Sequence, residues 1–267
     1  MTGRFPPSVA RHVEQQLALA GCVAADEEAE ELLAGAGDLG VLASWVDRRR
    51  SGEPLAWITG SLRFCGAVVL VEPGLYVPRI QSETLAIRAA ELLPRHGRAA
   101  DLCTGTGVIA AHLARSAPSA VVVGTDIDHG AARCAARNGV HCVVADLGSC
   151  LPTGRFDLVV AVTPYVPTAG LRLLPADTLR YEPRSAIDGG DDGLDLVRRV
   201  VDDAGRLLRR GGWLLTEIGG DQDTAIEPSL ECAGFDQVTF WYDDDGDLRG
   251  VAAHARSTPS TPNTPNT

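Results

Sequence analysis

The chain contains no lysine: all 24 of its basic residues are arginine, set against 35 acidic ones, and its formal net charge is −11. With the abundance of Ala, Gly and Val, this points to a bacterial genome of high GC content rather than to a function. The shortage of positive charge disfavours a nucleic-acid partner, because proteins that hold phosphates present a basic face and these arginines are scattered. No apolar run is long enough to cross a bilayer, and residues 1–10 lack both the basic and the apolar part of a signal peptide. A cytoplasmic protein with no membrane partner is therefore expected. None of the seven cysteines (Cys22, Cys65, Cys103, Cys134, Cys142, Cys150, Cys232) falls in a C-x-x-C pair or a Cys/His ligand spacing, so neither a disulfide nor a metal is expected. The six histidines show no pairing with a Ser or Cys nucleophile and read as surface or structural residues. The acidic run 243–247 lacks the Glu that closes a calcium loop, which leaves a solvated turn.

What is present divides the chain into four parts. Residues 1–52 read as a short helical domain, with Val13, Leu17 and Leu19 in one apolar set and Leu32, Leu33, Leu39, Leu42 and Trp45 in another, punctuated by Gly35 and Gly37. Residues 53–80 read as a linker entering a β-hairpin, with short strands at 61–65 and 68–71. From 81 to 256 a larger domain begins with a helix and then alternates strand and helix, as a doubly wound parallel sheet does. Its strands are predicted at 99–102, 120–126, 141–144, 158–162, 212–217, 237–242 and 250–255, with the clearest helices at 108–115, 130–138 and 193–208. Only a turn separates the last two strands. The predicted fold is therefore α/β of the class I, Rossmann-like methyltransferase type: a seven-stranded, mostly parallel sheet with a C-terminal antiparallel hairpin, preceded by a small helical domain. The tail 257–267 is Ser, Thr, Pro and Asn with no apolar content beyond its prolines and is expected to be disordered.

The first strand of the sheet runs into Asp101-Leu102-Cys103-Thr104-Gly105-Thr106-Gly107 and then directly into a helix. Glycines at such a turn let the backbone approach a ligand where a Cβ would collide. Many nucleotide-binding proteins share that feature, and the acids at the next two strand ends sharpen it. Asp126 is placed to accept from both ribose hydroxyls, Asp146 from an adenine amino group, and Asp101 lies where negative charge favours a cation. The third glycine of a dinucleotide fingerprint is replaced by Ala110. The expected cofactor is S-adenosylmethionine, held by Asp101, Thr104, Gly105, Gly107, Asp126, Ile127, Asp146 and Leu147.

Downstream of this loop come Pro164-Tyr165-Val166-Pro167, Glu182-Pro183-Arg184 and Asp188-Gly189-Gly190-Asp191-Asp192-Gly193-Leu194-Asp195. Upstream stand Gly52-Glu53-Pro54-Leu55-Ala56-Trp57-Ile58-Thr59-Gly60 and Val77-Pro78-Arg79. In these motifs and their order the chain resembles the HemK/PrmC family, above all its short, HemK-related actinobacterial branch. The resemblance implies methylation of the side-chain amide of a glutamine in a peptide-chain release factor. In that family the fourth strand ends in Asn-Pro-Pro-Tyr, and the Asn side chain and a backbone carbonyl accept the two amide hydrogens. An amide nitrogen is a poor nucleophile, and two aimed acceptors orient it and stabilise the charge developing on it.

Here Val162-Thr163-Pro164-Tyr165 stands in that place, and Val162 has no side-chain acceptor. Backbone carbonyls, the Thr163 hydroxyl, or nearby carboxylates such as Glu217 and Glu182 are the candidate substitutes. Arg79, Glu83, Tyr165 and Glu182 are expected to bind substrate at the rim, although a structural salt bridge would explain the charged ones equally. The altered strand end leaves several acceptors open: a protein such as a release factor, a small amine, guanidine or hydroxyl compound, or no acceptor at all in a non-catalytic binding protein. A nucleic-acid substrate is disfavoured by charge.

Overall fold

In the computed structural model, which describes residues 5–257, three helices come first: α1 (Pro7–Leu19), α2 (Ala25–Gly35) and α3 (Leu39–Arg50). Their inward residues recur at helical spacing, with Val13 and Leu17 on α1, Ala25, Ala29 and Leu32 on α2, and Leu42 and Val46 on α3. These meet in one apolar cluster that Ile58 joins. Asp38 caps α3, its Oδ1 accepting from the N–H groups of Gly40 (2.8 Å) and Val41 (2.9 Å). The stretch 52–60, expected as a plain linker, contains a five-residue helix α4 (Leu55–Thr59) ended by Gly60 at φ 77°. So short a helix shows no period from which to read it. Its Trp57 donates the indole N–H to the Leu75 carbonyl (3.1 Å), fastening the linker to the segment beyond the hairpin β1 (Ser61–Phe64) and β2 (Ala67–Leu70).

Helix α5 (Ser82–Leu92) leads into β3 (Arg98–Leu102), α6 (Val108–Ser116), β4 (Val121–Asp126), α7 (His129–Arg137), β5 (His141–Val144) and β6 (Phe156–Ala161). Helix α8 (Ala176–Tyr181), flanked by 3-10 turns at Thr168–Leu173 and Arg184–Ala186, separates these from α9 (Asp195–Leu207), β7 (Leu208–Thr216), α10 (Gln222–Cys232), β8 (Phe235–Tyr242) and β9 (Leu248–Ala255). The sheet order is β5-β4-β3-β6-β7-β9-β8, parallel except that β9 runs antiparallel to both its neighbours. This is the expected seven-stranded sheet with its terminal hairpin.

Period-two alternation packs both faces of the sheet. On β6, Leu158 and Val160 join the cluster built with α5 and α6, and Val159 and Ala161 join the one built with α9. Helix α9 reads as a single stripe, since Val197, Val200, Val201, Ala204 and Leu207 are all fully buried. Strand β7 starts earlier than its sequence suggests. It pairs at Leu208 with Phe156, leaves the ladder around Gly211 (φ 77°), and rejoins at Trp213 opposite Leu158. The predicted tail lies, from residue 258 onward, outside the described residues. Among the described residues no helix is long and apolar enough to cross a membrane.

Asn138, just past α7, binds the hairpin to the sheet. Its Oδ1 accepts from Leu70 N (2.8 Å), and its Nδ2 donates to the carbonyls of Leu70 (2.9 Å) and Thr106 (2.8 Å). Asn138→Ala strands Leu70 N and Thr106 O and leaves Leu70 O with the Cys134 thiol alone, and leaving such a polar group unpaired costs about 1–3 kcal/mol. Urea unfolding curves should show a loss of about that size.

Candidate active site

The carboxyl ends of β3, β4 and β6 open onto one cavity of about 510 Å³. On one side lies the loop after β3, where Cys103 (φ 56°), Gly105 (φ 57°) and Gly107 (φ 82°) all take the left-handed conformation. A Cβ on Gly107 would lie 2.9 Å from the Ala135 Cβ and 3.0 Å from the Ala135 Cα, so α7 packs on this turn only because glycine is there. Cys103, which has a side chain, takes the same conformation at the cavity wall, as strained residues at binding loops do.

Asp126 closes the loop from the next strand. Its Oδ2 accepts from Gly105 N (2.8 Å) and its Oδ1 from Asp128 N (2.9 Å), and each ionised oxygen keeps a further lone pair. Burial raises its carboxyl above the ordinary value, against those backbone hydrogen bonds. Ile127 beside it lines the cavity and is 71% exposed, an apolar surface of the kind a flat base covers.

Asp101 lies beneath the loop. Its Oδ2 accepts from the Thr104 hydroxyl (2.6 Å) and from Ala110 N (3.1 Å), while its buried Oδ1 has no partner. Burial pushes its carboxyl up to about 7. Thr104 is thus spent on Asp101 and does not line the cavity. Asp146 and Leu147 do not line it either. Arg199 Nη2 contacts both Asp146 oxygens (2.8 and 2.7 Å), and Leu147 turns its side chain into the core at φ 47°. The set nevertheless fits a cationic nucleoside: a carboxylate with lone pairs for a diol, a loop open to close approach, an apolar wall, and a buried carboxyl oxygen without a partner.

Across the cavity stand Val162, Thr163, Pro164 and Tyr165, with Tyr76 and Arg79 from the segment before α5. Gln222, which nothing in the sequence singles out, sets this wall. Its Nε2 donates to the carbonyls of Tyr165 (2.8 Å) and Asp192 (2.9 Å), and its Oε1 accepts from Gly219 N (2.8 Å). The glycines of 189–193 answer a steric demand, since a Cβ on Gly189 would lie 2.7 Å from the Pro164 carbonyl and one on Gly193 would strike that of Tyr165.

Of the two acids expected at the rim, Glu182 is buried and committed. Its Oε2 accepts from Val77 N (2.9 Å) and its Oε1 from Arg79 Nη2 (2.5 Å). Glu83 is not at the rim: its Oε1 accepts from Cys65 N (2.6 Å) and holds the hairpin turn. Arg79, anchored by Glu182, lies over the Tyr76 ring at 4.9 Å. Burial raises both the Tyr76 and Tyr165 phenols, which keeps them protonated. Glu217 follows β7 beside Val162, its N–H donating to Ala161 O at 3.4 Å. Burial raises its carboxyl against hydrogen bonding from Ser82 and Tyr165. Among the described residues no group of three or more His, Cys, Asp or Glu is arranged to hold a metal ion.

The family described as "Methyltransferase domain" matches residues 99–175. The release factor glutamine methyltransferase of Geobacter sulfurreducens is 37% identical over 204 residues, covering 74% of this chain and 72% of that protein. Its counterpart in Bradyrhizobium diazoefficiens is 34% identical over 232 residues, covering 82% and 77%. The 4-amino-L-phenylalanine/4-methylamino-L-phenylalanine methyltransferase of Streptomyces pristinaespiralis is 36% identical over 203 residues, covering 71% and 69%. Among solved structures, a methyltransferase from Pyrococcus furiosus superposes with a TM-score of 0.52 at 16% identity, covering 70% of this chain and 88% of that one. The ribosomal protein L11 methylase of Lactobacillus delbrueckii gives 0.51 at 19%, covering 70% and 84%. At such identities these two bear on the fold alone.

Asp101 generates a pH-dependent prediction. Its carboxyl rises on folding from the ordinary 3.8 to about 7, so its contribution to stability is complete below about pH 4 and is lost as pH rises through 7. Asp101→Asn is neutral at every pH and keeps an oxygen for Thr104 and Ala110. It should melt several degrees above the parent at pH 8, at about 2–4 °C per kcal/mol for a chain of this size. The gap should close toward pH 4 in a thermal series.

Proposed function

From its membership of the release factor glutamine methyltransferase (HemK/PrmC) family, we infer that this chain transfers a methyl group from S-adenosylmethionine to the side-chain amide nitrogen of a glutamine in a release factor. One observation carries this reading. A single cavity joins the glycine loop and Asp126 on one wall to the 162–165 segment on the other, so a bound methyl donor and a side chain entering from outside would meet there.

When bound, the cofactor supplies an electrophilic methyl on a sulfonium. Asp126 would hold the ribose, Ile127 would cover the base, and the unpartnered Asp101 Oδ1 would favour the positive end. Thr104 would act through Asp101, and Asp146 and Leu147 would bound the adenine end once Arg199 shares its carboxylate. The aromatic wall of Tyr76 and Tyr165 and the apolar Val162 exclude water, which strengthens every polar contact to the reacting nitrogen. Residues 81–256 form the catalytic domain in this reading, and 1–52 a substrate-docking one. The net charge of −11 argues against a nucleic-acid acceptor, and a release-factor substrate would place the reaction in the cytoplasm.

A second reading has its own support. Val162 presents no acceptor, and the Streptomyces relative is named for methylating an aromatic amine. A small primary amine is therefore the alternative substrate.

Purified protein, labelled cofactor and the source lysate, split by a size-cutoff filter, separate the two. Label on a release-factor glutamine is the expected outcome. Label confined to the filtrate would replace the amide reading with the amine one. Val162→Asn restores a side-chain acceptor. It should raise kcat/KM on the release factor by about tenfold, the value of one hydrogen bond of 1–2 kcal/mol.

A further inference from the structure

Five buried side-chain oxygens lack a hydrogen-bond partner among the described residues, on Asp101, Thr106, Thr125, Thr163 and Glu217. Thr163 is the one of these residues that lines the cavity. It is 3% exposed and sits one position after Val162, where the strand end lacks an acceptor. A buried hydroxyl without a partner is destabilising, and valine would fill the same space without that penalty.

The nearby acids Glu182 and Glu217 do not fill this role. Glu182 has both oxygens on Val77 and Arg79, and Glu217, whose Oε1 is also unpartnered, lies outside the cavity lining. Gln222 fixes the backbone at Tyr165, so the Thr163 side chain is held on a positioned segment.

We propose that the Thr163 hydroxyl accepts a hydrogen of the nucleophilic nitrogen of the substrate, a primary carboxamide, and so orients its lone pair toward the methyl donor. This rests on reading the site as that of an N-methyltransferase. A hydroxyl offers two lone pairs to a nitrogen-bound hydrogen, and because neighbouring atoms cover the Thr163 oxygen, the side chain turns about χ1 to present it to the cavity. The role left open by Val162 therefore passes to the next residue along the chain.

Thr163→Val and Thr163→Ser test the assignment, with the release factor and 4-amino-L-phenylalanine as two alternative acceptors. On whichever acceptor the parent methylates, Val should lower kcat/KM roughly five- to hundredfold, as the loss of one such hydrogen bond does. Ser should stay within about threefold of the parent on the same scale. Calorimetry should give unchanged cofactor affinity for both variants, and ligand-free Val should melt no lower than the parent. Full activity of Val, weakened cofactor binding, or a lower melting point would overturn the proposal. Activity on the amine alone would remove the carboxamide as substrate, and the same variants would then judge Thr163 on the amine. If the parent methylates neither acceptor, the melting points decide: equal or higher for Val supports an unpartnered hydroxyl, and lower overturns it.

Discussion

Parallel pairing of β4, β3, β6 and β7 brings four carboxyl ends to one edge of the sheet, and the cavity depends on that shared direction. A helix returns the chain after each of β3 and β4, so every new strand emerges with its last residue level with the others. Asp126, Val162 and Glu217 each follow the paired residues Thr125, Ala161 and Thr216 and so come level with Cys103, while Asp101 lies two residues deeper, opposite Gly124 and Val160. The loops that continue from these ends need only a few residues to enclose a ligand, because the sheet has already gathered them.

What could be read beforehand followed from local rules. The helix at 193–208, the strand at 158–162 and the glycine turn at 103–107 each depend on residues close in sequence. The structure has α9, β6 and a left-handed loop there, with bounds shifted by one or two residues. What could not be read depends on partners far along the chain. Gln222 bonds carbonyls 57 and 30 residues upstream, and backbone carbonyls leave no trace in side-chain identity. Asn138 reads as the end of a helix, while its amide serves a hairpin 68 residues earlier. Glu83 and Glu182 look alike in sequence near an arginine. Only packing assigns Glu182 to Arg79 and sends Glu83 to the hairpin turn.

Polar groups left without partners gather around this site. Asp101 Oδ1, Glu217 Oε1 and the Thr163 hydroxyl are each buried and without a partner among the described residues, and of the three residues Thr163 lines the cavity. Such groups oppose stability, and the well-packed clusters on both faces of the sheet offset them. The sheet and its helices are thus what allow unpartnered oxygens to persist beneath and beside the cavity.

The side-chain bonds that shape the glycine loop run among Asp101, Thr104, Gly105, Ala110 and Asp126, with one more from Asn138 to the Thr106 carbonyl, all between residues 101 and 138. None of them involves 76–79, 162–165 or 182, which form the opposite wall through Glu182, Arg79 and Gln222. The two walls are therefore separable inheritances. A lineage can rewrite one to accept a new nucleophile while the other passes down intact, and Val162, which carries no side-chain acceptor, stands on the wall that such a revision would change.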